Sequence, residues 1–96
     1  MSGGRERRTE GRVRVRTKVR ITDPLRDKVL GMFDLIELSG RGFSFISWDR
    51  FEPGTRLWCE VRDYNMCVAA EVCHSTGGWL RKLTGVRFVA APICLD

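Results

Sequence analysis

Two polar clusters in this chain of 96 residues hold the residue types that bind anions and heteroaromatic rings. The first is "RERRTEGR", with Arg5, Arg7, Arg8 and Arg12. A guanidinium presents five donors in a planar fork. It pairs bidentately with phosphate or with the O6/N7 edge of guanine, and it stacks on aromatic bases. The second is "ELSGRG", from Glu37 to Gly42. Glu37 is acceptor-only when ionised, and Ser39 both donates and accepts. Two glycines permit a left-handed backbone, and successive N–H groups can then form an anion nest. A bare hairpin turn has the same composition, so this cluster alone does not separate a turn from a ligand site.

Other chemistry finds less support. Ser39 is not a nucleophile on an elbow, because Glu37 stands where the G-x-S-x-G pattern needs glycine. The single histidine, His74, follows Cys73 directly. Neighbours on a strand point to opposite faces, so a Cys–His dyad is not expected. Cys67, Cys73 and His74 lack paired C-x-x-C spacing, so no metal is expected either. No catalytic set can be assembled, and the chain reads as a binding protein, not an enzyme. Trp58, on an outer strand face, and Trp79, after a Gly-Gly loop, are placed to stack on a base. Filling the core is the ordinary alternative for a tryptophan.

The elements that must position these residues read as strands. In "RVRVRTKVRI", Val13, Val15, Thr17, Val19 and Ile21 alternate with Arg12, Arg14, Arg16, Lys18 and Arg20. Period two with β-branched residues predicts a strand with one apolar and one cationic face. Further strands are predicted at residues 29–38, with a bulge at Gly31, at 43–47, 56–61 and 66–74, and within 79–90. "SGRG", "RDYN" and "STGG" read as turns or loops, and the tail "APICLD" as coil or a brief helix. Short strands at near-regular spacing point to a small antiparallel barrel. Residues 1–12 are nearly without apolar side chains and read as a flexible basic arm, leaving 13–96 as the folded domain.

The charge agrees with that division. Net charge is +5, but residues 1–20 carry +6 and the rest −1. So concentrated a cationic segment draws phosphates, nucleotides, nucleic acid or acidic lipid heads. There is no apolar run long enough to span a membrane and no secretory signal. A cytosolic protein is expected, with its four cysteines reduced and mostly buried.

Taken together, the clusters carry a resemblance. Arg8-x-x-x-Arg12 precedes the first strand, and Glu37-x-Ser39-x-x-Gly42 lies between the second and third. This resembles the PilZ domain, whose pattern is R-x-x-x-R followed by [D/N]-x-S-x-x-G. "EPGT" and "LTGVRF" are similar to that family's middle turn and closing strand. No motif is specific alone, but their order and spacing are, over residues 7–90. The resemblance implies a six-stranded antiparallel β-barrel with a flexible Arg-rich arm. It implies a bacterial cyclic di-GMP receptor that changes its arm on binding and signals to a partner protein. Arg8 and Arg12, helped by Arg7, would hold phosphates and guanine edges. Glu37 and Ser39 would contact guanine from the barrel, and Gly42 would permit the turn.

Two features depart from the pattern. Glu37 replaces the shorter Asp or Asn, and Arg16-x-x-x-Arg20 repeats the arginine spacing inside the first strand. Two other readings follow. One is a degenerate PilZ-like module that binds only protein. The other is a basic barrel for single-stranded nucleic acid, through the arginine strand and the tryptophans. The resemblance favours the cyclic dinucleotide over nucleic acid.

Overall fold

The computed structural model describes residues 13–94. They form seven antiparallel strands: β1 (Val13–Asp23), β2 (Lys28–Leu38), β3 (Gly42–Ser47), β4 (Arg56–Val61), β5 (Met66–Gly77), β6 (Lys82–Phe88) and β7 (Ile93–Cys94). Neighbours run β4-β1-β2-β3-β6-β5, and β4 also pairs with β5, so six strands close into a barrel. Closure removes the free sheet edges that an open small sheet would expose. The seam between β1 and β4 is short, with Arg20, Ile21 and Thr22 opposite Glu60, Cys59 and Trp58. Next to it, the Thr17 hydroxyl donates to the Asp63 carboxylate on a single 3-10 turn, Arg62–Tyr64.

The predicted strands all form, and the ends differ where pairing overrides local composition. "STG" continues β5 and does not turn: Ser75 lies opposite Thr84, and Thr76 opposite Leu83. Ser75 is buried, and its hydroxyl finds the Thr84 hydroxyl at 2.8 Å. The tail is neither coil nor helix at 93–94. β7 pairs with Met66 and Cys67, covering the edge of β5 below the point where β6 leaves it at Ala70. Gly31 does sit at a bulge, with φ of 145°: Ile21 faces Gly31, Thr22 faces Val29, and Leu30 is left over.

The inner faces alternate as the sequence predicts. Val19, Ile21, Leu35, Phe43, Phe45, Leu57, Cys59, Val61, Val68, Ala70, Val72 and Val86 form one buried cluster. Phe45 is its centre, with ring centroids of Phe33, Phe51 and Phe43 at 5.2, 5.5 and 6.1 Å. Burying such a ring contributes about 2 kcal/mol. Burial also pushes the Cys59 thiol up to about 12. Cys67 is buried too, whereas Cys73 is exposed.

Candidate ligand-binding site

Two β-bulges decide which side chains face outward beside the "SGRG" turn. On β2, Phe33 packs against the core and Leu35 is buried in it. Strict alternation would carry Glu37 inward with them. The register skips Ile36, however: Leu35 lies opposite Phe45 and Glu37 opposite Ser44. Ser44 sits between buried Phe43 and Phe45, so it faces out, and Glu37 is turned out beside it. β5 repeats the device. Val68, Ala70 and Val72 are buried, and His74 would follow them inward. The register skips Cys73, placing Val72 opposite Val86 and His74 opposite Gly85. His74 is thereby exposed, next to an exposed Cys73. The sequence reading of opposite faces for these two fails because it assumed an unbroken strand.

Glu37, Ser44, Gly85 and His74 therefore form one row across β2, β3, β6 and β5. Three strand spacings make it ~14 Å wide. Gly85 has no side chain, and the space above it is taken by a neighbour. A Cβ there would meet His74 Nε2 at 2.6 Å, so the imidazole packs directly over the glycine. A second row runs beside it through Gly42, Arg87, Glu71 and Arg56 on β3, β6, β5 and β4. Arg87 Nη2 donates to Glu71 Oε1 at 2.6 Å, and Arg56 Nε lies 3.8 Å from the same oxygen. The first row, the turn, and Gly42 and Arg87 of the second row line an open cleft of about 210 Å³.

The turn itself is held by Ser39. Its amide and hydroxyl both donate to the Gly42 carbonyl, at 2.9 and 3.2 Å, and its Oγ accepts from the Arg41 amide at 3.2 Å. No residue from 39 to 42 has a left-handed backbone. The anion nest that two glycines permit is thus absent from this turn, and the Arg41 N–H is already used. Gly42 is needed for a different reason from the turn. A Cβ on it would stand 2.0 Å from the Val86 carbonyl oxygen, so only glycine lets β3 approach β6 this closely. One lone pair of the Ser39 hydroxyl is left for a ligand donor.

Of the residues singled out in the sequence, Glu37, Ser39 and Gly42 all line this cleft. Arg7, Arg8 and Arg12 lie outside the described residues. Val13 stands opposite Leu38, so the chain that carries them joins the sheet beside Ser39. Trp79 is not brought to the cleft. It is 85% exposed beyond the far end of β6, where Lys82 donates to its carbonyl, ~20 Å of strand from the turn. Trp58 is half-buried on β4. Neither Arg16 nor Arg20 lines the cleft, and Arg20 faces Glu60 at 3.5 Å on the other side of the barrel. Sequence reasoning missed His74, Ser44 and Arg87. Arg87 was legible as the outward residue of "GVRF", between inward Val86 and Phe88, whereas nothing in the pattern announces the bulge that exposes His74.

The PilZ domain family model matches residues 6–94. The chain belongs to the PilZ domain family. The match spans nearly the whole chain, including both arginine positions of the arm and the 37–42 turn. No curated protein matches the chain closely enough to count as a relative. Members of the PilZ family are generally cyclic di-GMP receptors, binding and adaptor modules rather than enzymes. Among the described residues, no helix is long and apolar enough to cross a membrane.

Proposed function

We propose that this PilZ domain is a cyclic di-GMP receptor that binds the dinucleotide over the outer face of β2, β3, β6 and β5. The observation that carries the reading is the pair of bulges. They turn one carboxylate and one imidazole outward at the two ends of a glycine-floored row, beside the Ser39 turn and the entry of the arm. Guanine N1–H and N2–H₂ need an acceptor, which Glu37 supplies, and Ser39 adds a second. The His74 ring offers a flat face against a base. Arg8 and Arg12, with Arg7, bring guanidinium forks to the phosphates and Hoogsteen edges from the opposite side.

In this reading the arm closes on the ligand. Ordering it costs conformational entropy, which the charge-assisted contacts offset. The closed arm changes the surface offered to a downstream partner protein, which makes the domain an adaptor. A cytosolic location and a bacterial source go with this reading.

The test is calorimetric titration with cyclic di-GMP. Saturable binding to the wild-type chain, and its loss in Arg8→Ala and Arg12→Ala, supports the proposal. Lack of heat at high micromolar ligand sinks it and favours the degenerate, protein-binding alternative. Loss only in Arg16→Ala or Arg20→Ala moves the arginine motif into β1.

A further inference from the structure

Arg87 occupies a position that the arm-and-turn account of the site does not use. It stands on β6 between two glycine positions of the cleft floor, with Gly42 its cross-strand neighbour on β3 and Gly85 two residues before it. Neither glycine has a side chain of its own to cover Arg87, although the His74 imidazole lies over Gly85. On its other side Glu71 holds it, with a 2.6 Å bond from Nη2. Glu71 in turn is flanked by Arg56, at 3.8 Å and opposite it on β4. Two guanidiniums thus share one carboxylate, and the trio keeps a net positive charge. Arg87 spends one of five N–H donors on Glu71, which fixes the plane of the fork and leaves the rest for a ligand. Its side chain is 59% exposed, so those donors are open to solvent.

We propose that Arg87 is a ligand-binding residue, a phosphodiester-binding guanidinium built into the barrel, with Glu71 as its positioning residue. This rests on the cyclic di-GMP reading and deepens it. A cyclic dinucleotide carries two phosphates on opposite sides of its ring. The arm reaches the ligand from outside, whereas Arg87 meets it from the floor. One anion is then held by the barrel without the arm.

The experiment is titration of the full chain with cyclic di-GMP at low and moderate salt, for wild type, Arg87→Ala, Arg87→Lys, Glu71→Gln and the Arg8→Ala/Arg12→Ala double variant. Loss of one charge-assisted contact is expected to weaken Arg87→Ala about tenfold and to flatten the salt dependence. Arg87→Lys keeps the charge without the fork and recovers part of the loss. Glu71→Gln keeps Arg87 but frees it, for a loss of roughly threefold with the full salt dependence retained. The thermal midpoint of each variant checks that the barrel is intact. If the wild type binds, the arm double variant does not, and Arg87→Ala binds like the wild type, this inference alone is overturned. If Arg87→Ala weakens binding but salt dependence is unchanged, the phosphate role is overturned. If the wild type does not bind at all, the receptor reading falls and takes the inference with it.

Discussion

Replacing Gly42 with alanine isolates what that glycine does. The added Cβ would lie 2.0 Å from the Val86 carbonyl oxygen, 2.9 Å from Arg87 Cα and 3.0 Å from the Val86 carbonyl carbon. Ordinary contacts begin near 3.4 Å, so β3 and β6 must part by roughly 1.4 Å at that point. The obstacle is backbone, and no side-chain rotation relieves it. Overpacking of this kind costs about 1–3 kcal/mol, and weakening a neighbouring ladder bond adds about 1. A total near 3 kcal/mol lowers the melting midpoint of a domain this size by roughly 10–20 °C. Gly40→Ala is the control: its Cβ meets nothing within 4 Å and its backbone is not left-handed, so the midpoint should move by only a few degrees. Thermal unfolding followed by circular dichroism reads both. Should Gly42→Ala melt within a few degrees of the wild type, or Gly40→Ala fall as far, the close approach of β3 to β6 is not what requires the glycine.

Other outcomes follow from the same geometry. Glu37→Asp keeps the acceptor and shortens it by one methylene, so calorimetry should show cyclic di-GMP affinity changed by less than about tenfold, whereas Glu37→Ala removes the acceptor and should cost at least that. Thr84→Val removes the hydroxyl that bonds Ser75 at 2.8 Å and meets Ser47 at 3.3 Å; two buried hydroxyls lose a partner, and urea denaturation should show a loss of about 2 kcal/mol. Cys73 should react with a thiol reagent in the folded protein while Cys59 and Cys67 wait for denaturant, as mapped by mass spectrometry. The Cys59 pKa is raised from 9.0 to about 12 on folding, so its contribution to stability is complete below about pH 9 and is lost as pH rises towards 12; Cys59→Ala should flatten the fall in urea midpoint above pH 9.

The barrel was legible because its inner faces obey period two almost throughout. Val19 and Ile21, Phe43 and Phe45, and Leu57, Cys59 and Val61 each alternate with outward residues, and each set is buried. What the pattern could not show is where pairing partners slip past one another. A bulge is a relation between two strands, so it leaves little trace in either one alone. Gly31 is the exception, since its φ of 145° demands glycine and so marks its own bulge. Ile36 and Cys73 carry no such mark. The extension of β5 through "STG" was hidden for a related reason: three turn-forming residues become strand when Thr84 supplies a partner for a buried hydroxyl.

The motif at 37–42 is built from separate physical contacts. The bulge at Ile36 turns Glu37 outward, opposite Ser44. Leu38, next in line, goes back to pack against the core, and Ser39 emerges on the side of Glu37. An acid and a hydroxyl two residues apart therefore face one cleft, with an apolar residue plugging the wall between them. Ser39 then ties the turn to the Gly42 carbonyl, and Gly42 lets β3 close on β6. Each fixed position of the motif thus does a separate job, and only the first is defined by reach rather than by fit. Gly42 has no room for another atom, and Ser39 is committed through both its amide and its hydroxyl. Glu37 is a partly buried residue lining an open cleft, and its longer side chain is accommodated there. That asymmetry explains how a glutamate can stand where the family pattern has aspartate or asparagine while the rest of the motif is kept.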